Sequence, residues 1–392
     1  MLSSIDRLHR IAHQTERRII GLMSGTSLDG LDIALCRFSG NGNSVECVLE
    51  HFITMQYSPA QQEAIRAVFA KRQLDLQDLC ILNAEIGILH AKMIKQVLAS
   101  WDVNASSVDL IASHGQTVFH APQHFHQLAR PNSTLQIGDG DHIACATGII
   151  TLSDFRQKHI AAGGEGAPLV GYGDFLTLKS KVHDRVLLNI GGIANITYIP
   201  KAANFDQLVC SDIGPGNTLI DACAQRFFGQ AYDKDSALAR AGAINNELLA
   251  RLLADPFFAQ ALPKSTGPEQ FNFDWLTMRY PELASMPSLD LIATLTALTA
   301  KAICSAIKQL TLDAEIYVSG GGAHNPLLCQ LIERELNQVL YPSDKIGIAG
   351  DAKEAVLFAA LANECVAGNV STFEASRTDM PNISMGKISL PE

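Results

Sequence analysis

Residues 18–38 read RIIGLMSGTSLDGLDIALCRF, and their pattern decides the fold class. The apolar run 18–23 predicts a strand, 24–30 forms a small polar loop carrying Gly25 and Gly30, and 31–38 predicts a second strand. Strand, glycine turn, strand is the pattern of a β-hairpin. It returns at 185–199, RVLLNIGGIANITYI, with the turn at 191–195. Helical sequence follows each hairpin, at 74–101 and at 289–310. A short apolar segment then ends in glycine, 108–112 before His114-Gly115 and 315–318 before Gly320-Gly321-Gly322. One order used twice implies an internal duplication, two α/β lobes each built on a mixed sheet flanked by helices. The join is expected near 154–166, where AAGGEGAP interrupts the periodicity. That division gives a first lobe over 1–155, a second over 156–370, and a C-terminal tail over 371–392 returning toward the first. The helix 353–367 is expected to cross back toward the first lobe as well.

The bulk numbers agree with two lobes, since 392 residues exceed what one hydrophobic core usually supports. Thirty Lys+Arg against forty Asp+Glu leave a net charge of -10, which argues against nucleic acid or an anionic membrane as partner. Nucleotide binding stays open, because backbone N–H groups and a metal ion can handle phosphates. The nine cysteines are scattered singly with no CxxC pair, which predicts buried thiols in a reducing compartment. The opening MLSSIDRLHRIAHQTERR lacks the apolar core of a signal peptide. No stretch is read as a membrane span of roughly 18 apolar residues. The expectation is a soluble, cytoplasmic protein.

Gly25 and Gly30 have P-loop spacing, but Leu31 and Asp32 stand where that loop needs Lys and Ser/Thr, and the loop opens a strand instead of a helix. Gly214-Pro215-Gly216 begins like a dinucleotide fingerprint and lacks its third glycine. What remains is four glycine turns at strand ends, 24–30, 191–195, 214–217 and 320–322. Glycine lets backbone N–H groups approach an anion, and two facing hairpins can grip a polyphosphate from both sides. Asp29 and Asp32 beside such a loop repel phosphate unless a cation stands between, which implies Mg²⁺ with Asp29 as its ligand through water. His114, His120, His124 and His126 are too loosely spaced for a tetrahedral site and read as a solvated or substrate-lining loop.

Twelve ordered runs carry a specific resemblance. They are GLMSGTSLDGLD (21–32), SHGQTVFH (113–120), LQIGDG (135–140), DFR (154–156), GEGAPLV (164–170), NIGGIANIT (189–197), DIGPGNTLIDA (212–222), YDKD (232–235), KSTG (264–267), FN (271–272), SGGGAHNPLL (319–328) and GIAGDAKEA (347–355). With them the chain resembles the anhydro-N-acetylmuramic acid kinase family, within the superfamily of actin, sugar kinases and heat-shock chaperone ATPases. The resemblance implies two duplicated actin-like (ribonuclease H-like) lobes with mixed five-stranded sheets and ATP in the interlobe cleft. It implies that Gly25, Thr26, Ser27, Leu28, Asp29, Gly30, Leu31 and Asp32 meet the phosphates, that Gly191 and Gly192 meet them from the other lobe, and that Gly320, Gly321 and Gly322 lie against the adenosine. Asp212 stands at the family's catalytic base, and Thr117, Arg156 and Glu354 at its sugar contacts, Arg156 being suited to hold a lactyl carboxylate.

The implied substrate has an internal ether bridge and no free 6-hydroxyl. Water must open the bridge at the anomeric carbon, one carboxylate taking its proton, while the released O6 captures the γ-phosphoryl group. The chain departs from the family at His159 (usually Asp), Glu165 (Gln), Gly171 (Pro) and Pro268 (Arg). The implied partners are the sugar and ATP, with a homodimer left open. Two other readings stay open beside this one: a kinase of an ordinary amino sugar or hexose hydroxyl, and a non-catalytic ATP switch on the same fold.

Overall fold

The computed structural model describes residues 3–25, 27–123, 126, 130–347, 350–368 and 381–392. Its strands are β1 (Glu16–Ser24), β2 (Gly30–Ser39), β3 (Glu46–Gln56), β4 (Leu110–Ala121), β5 (Ser133–Ile137), β6 (Ile150–Ser153), β7 (Arg185–Ile190), β8 (Ile193–Ile199), β9 (Val209–Pro215), β10 (Glu315–Ser319), β11 (Leu340–Pro342) and β12 (Lys387–Ser389). In the first sheet β1, β2 and β3 run antiparallel in succession, β4 lies parallel on the other side of β1, and β6 lies parallel to β4. The second sheet repeats this plan. There β7, β8 and β9 are antiparallel in succession, β10 is parallel to β7, and β11 is parallel to β10. The two sheets therefore share the order third-second-first-fourth-fifth, which establishes the duplication as an actin-like one. The first sheet has seven strands where five are expected, because β5 folds back on β4 and β12 pairs antiparallel with β6.

The chain divides into a unit of Met1–Leu178, Asn204–Asp206 and Gly347–Glu392 and a unit of Lys179–Ala203 and Gln207–Ile346. The division thus falls after residue 178, where the sequence suggests 155, and helix Lys353–Ala367 belongs to the first unit. Packing explains both shifts. A Cβ on Gly21 of β1 would stand 1.8 Å from the carbonyl oxygen of Ala355, and one on Gly173 of helix Val170–Leu178 would stand 2.5 Å from Leu357. Helix Lys353–Ala367 is pressed onto the first sheet, and helix Val170–Leu178 onto that helix, at positions where a larger residue has no room. Residues before β1 form a capped helix, Ser4–Ala12, whose Ser4 donates from its N–H and its Oγ to Glu392 at 2.7 Å.

Helix Ser288–Leu310 is long and apolar enough by length and composition to cross a membrane, a feature missed in the sequence. Its apolar window is 83% buried inside the second unit, as a core helix would be. No disulfide joins the nine cysteines; Cys36, Cys223 and Cys304 are buried, whereas Cys80 and Cys145 are exposed, against the expectation of burial.

Overpacking a close contact of this kind costs about 1–3 kcal/mol, and more where backbone must move. Gly21→Ala is expected to destabilise the first unit by about 3 kcal/mol, read as a lower urea midpoint at unchanged slope. A midpoint equal to that of the parent chain would mean that helix Lys353–Ala367 does not bear on β1 at Gly21.

Candidate active site

In the first unit the loop after β1 is pinned from behind. Gln116 Nε2 donates to the Gly25 carbonyl at 3.3 Å, so its Oε1 is the acceptor for Ser24 Oγ at 2.5 Å. With its one proton used, Ser24 Oγ accepts from Tyr57 OH at 2.8 Å, and Tyr57 OH in turn accepts from His90 Nε2 at 2.8 Å. Burial pushes His90 down to about 3, which keeps this imidazole neutral; the order set from the Gln116 end then puts its one hydrogen on Nε2. Gln116, Tyr57 and His90 escape the sequence reading; only Gln116 carried a signal, through its place in the HGQT run.

The loop residues divide by task. A Cβ on Gly25 would meet only Ser27 Oγ among the described residues, at 3.7 Å, whereas one on Gly30 would strike the Met55 carbonyl at 2.4 Å. Leu28, at φ 59, and Leu31 turn their side chains into the core, so any contact with a nucleotide there is made by backbone. Ser27 Oγ donates to Asp29 at 2.6 Å, and Thr54 Oγ1 donates to Asp32 at 2.6 Å. Thr26 lies outside the described residues.

Burial raises the Asp32 carboxyl, and the charges of Asp29 and Asp351 push the same way against the Thr54 hydrogen bond. Burial also raises Glu354, with Arg156 opposing and Asp32 adding to the shift. Arg156 is preset by two bonds, Nε donating to His114 Nε2 and Nη1 to the Gly166 carbonyl, each at 2.8 Å. A guanidinium only donates, so His114 Nε2 is unprotonated and Nδ1 carries the hydrogen given to the Gly115 carbonyl at 2.8 Å. Burial first, and the Arg156 charge second, hold His114 down to about 3. Arg156 Nη2 donates to none of the described residues. Thr117 Oγ1 accepts from Gln136 Nε2 at 3.4 Å and is half-buried. His159 Nδ1 accepts the Gly166 N–H at 2.9 Å.

In the second unit three of the glycine turns meet. Gly216 and Thr218 donate their N–H groups to the Gly192 carbonyl at 2.8 and 3.1 Å, and Asn217 donates its own to Gly191 at 2.8 Å. A Cβ on Gly216 would stand 2.3 Å from Gly191 O, so glycine is required there. Gly322 closes on Ile190 and the Asn217 side chain, and Asn217 Nδ2 donates to Ile190 O at 3.1 Å. Beside this junction lies a cavity of about 450 Å³ lined by Asn217, Tyr232, Lys234, Gly321 and His324. Asp212 sits on β9, and its Oδ2 accepts from Ser265 Oγ at 3.1 Å and from the Thr266 N–H at 3.0 Å. No group of three His, Cys, Asp or Glu among the described residues can hold a metal ion by protein ligands alone.

A family model described as anhydro-N-acetylmuramic acid kinase matches residues 17–389. The protein of that name from Pseudoalteromonas atlantica is 50% identical over 401 residues, covering 100% of both chains. Those from Clostridioides difficile and Caldanaerobacter subterraneus subsp. tengcongensis are 40% and 38% identical, over 94% and 98% of this chain and 97% and 100% of theirs. Among solved structures, a ROK family glucokinase from Streptomyces griseus in complex with glucose and AMPPNP is remote, at TM-score 0.33 and 13% identity over 88% of this chain and 98% of that one.

Neutral burial of His90 and His114 makes stability pH-dependent in a known direction. Both imidazoles titrate near 6.5 when unfolded and near 3 when folded, so their contribution is present above about 6.5 and is lost as pH falls toward 3. Between pH 6 and 4 each adds about 1.4 kcal/mol per pH unit to the slope of unfolding free energy. His90→Gln is expected to flatten that slope by this amount in urea unfolding. An unchanged slope would contradict a neutral, buried His90.

Proposed function

Because the chain belongs to the anhydro-N-acetylmuramic acid kinase family, we propose that it uses ATP to open the 1,6-anhydro ring of 1,6-anhydro-N-acetylmuramic acid and phosphorylate O6. The products are N-acetylmuramic acid 6-phosphate and ADP, a step of murein recycling carried out in the cytoplasm. The observation that carries this reading is Asp212, a carboxylate with one oxygen held by Ser265 and Thr266 and the other accepting no hydrogen bond among the described residues. Its unit also carries Gly191 and Gly321, where a Cβ would meet nothing nearer than 3.5 Å, so the backbone there leaves room for a polyphosphate.

In this reading the free oxygen of Asp212 takes a proton from water as that water attacks the anomeric carbon. The bond from that carbon to O6 breaks, and O6 forms its new bond to the γ-phosphorus as ADP departs. No separate general acid is needed, since phosphoryl transfer absorbs the charge growing on O6. Arg156, with Nε and Nη1 already engaged, turns Nη2 to the lactyl carboxylate. Glu354 and Thr117 contact the sugar. The cavity at Gly321 takes the adenosine, being of the size usual for such a ligand.

The donor set at the first hairpin fits Mg²⁺. Burial first, and the charges of Asp29 and Asp351 after it, raise Asp32, and an ion that keeps most of its waters needs only one or two carboxylates. Such an ion would supply charge neutralisation for the phosphates; Asp29 would hold it through water.

A coupled ADP-release assay tests the reading. Turnover is expected with the anhydro sugar and not with open amino sugars or hexoses; the reverse preference would favour an ordinary sugar kinase. Asp212→Asn is expected to lower kcat by about 10³-fold, within the range for a lost general base, while ATP still binds. A variant of near-normal rate would remove Asp212 from the mechanism. Gly216→Ala, which forces the junction apart, is expected to weaken ATP binding about tenfold by calorimetry. Unaltered affinity would take the junction out of the nucleotide site.

A further inference from the structure

We infer that Ser265 is a positioning residue for ring opening, holding Asp212 so that a single, fixed carboxylate oxygen faces the attacking water; this rests on Asp212 being the base. Both hydrogen bonds to the Asp212 carboxylate fall on Oδ2, from Ser265 Oγ at 3.1 Å and the Thr266 N–H at 3.0 Å. Two donors on one oxygen stop rotation of the carboxylate and set the direction of Oδ1. The donors are themselves fixed. The Asp212 N–H donates to the Lys264 carbonyl at 3.0 Å, and the Lys264 N–H donates to Ser211 Oγ at 2.9 Å, so residues 264–266 are laced to β9 beside the group they hold. Lys264 Nζ donates to the Phe257 carbonyl at 2.8 Å and stands 4.3 Å from the centre of that ring, which anchors the start of the segment. Thr266 Oγ1 donates to Gln270 Oε1 at 2.7 Å and anchors its end.

Ser265 differs from its neighbours in having no other task. It is exposed, and among the described residues its hydroxyl bonds to nothing but Asp212. An exposed serine can be truncated with little cost to the fold. A base displaced by an ångström, however, loses up to about a hundredfold in rate. The Thr266 N–H survives the truncation, so the loss should be partial.

The full chain is assayed by coupled ADP release with the anhydro sugar, comparing Ser265→Ala and Ser265→Thr with the parent and with Asp212→Asn. Ser265→Ala is expected to lower kcat about tenfold with both KM values within about twofold, as for an interaction lost only at the reacting centre. Ser265→Thr, which keeps the hydroxyl, is expected to restore kcat to within about twofold. A Ser265→Ala variant of parental kcat, a loss confined to KM, or a Thr variant as slow as the Ala variant would each overturn the positioning role. If Asp212→Asn itself turns over normally, the base assignment fails instead, so the two failures are told apart.

Discussion

Three backbone N–H groups, from Gly216, Asn217 and Thr218, are donated to two carbonyls, those of Gly191 and Gly192, and the candidate chemistry of the second unit depends on that junction. It exists only because side chains are missing. A Cβ on Gly216 would meet Gly191 O, and one on Gly192 would meet Thr218 Oγ1 at 2.8 Å. Thr299, buried in the core helix Ser288–Leu310, supports the junction by bonding to the Pro215 and Gly216 carbonyls at 3.0 Å each. The end of β9 is therefore fixed to the turn between β7 and β8. Asp212, four residues before Gly216, inherits its position from the same contacts. Close backbone approach and a fixed Asp212 share one cause.

The first unit reaches a similar rigidity with side chains. A buried relay from His90 through Tyr57 and Ser24 to Gln116 ends on the Gly25 carbonyl, and a second, from the Gly115 carbonyl through His114, ends on Arg156. Both relays depend on imidazoles that burial keeps neutral. The acids near them are left unbalanced: Asp32 and Glu354 are both raised by burial and by neighbouring carboxylates, Glu354 against the pull of Arg156. Such a concentration of carboxylates repels phosphate unless a cation shields the charge.

The hairpins were legible in the sequence because period and glycine placement report backbone directly. The strands expected at 18–23 and 185–190 became Glu16–Ser24 and Arg185–Ile190, and the helix expected at 289–310 became Ser288–Leu310. The unit boundary was not legible. Helices Phe155–Ala161 and Val170–Leu178 join the first unit through contacts such as Gly173 on Leu357, which no local pattern announces. The three-residue β12 is too short to carry a signal of its own. The glycine turns at 191, 214 and 320 were legible as turns, but their meeting at Asn217 is tertiary. Tyr57 and His90 lie outside every quoted motif, and their task appears only when four side chains are brought into one line. Ser265 was legible as part of KSTG, without the partner that gives it meaning.

The central claim is that water attacks the anomeric carbon with Asp212 as base, while the bridge oxygen becomes the ester oxygen of the phosphate. It is tested most directly by running the reaction in isotope-labelled water, stopping it before the product mutarotates, and locating the label by mass spectrometry and NMR. The account predicts label on the anomeric hydroxyl with inverted configuration, and none in the bridge between C6 and phosphorus. Label in released phosphate, or retention with a trapped sugar–protein adduct, would contradict it.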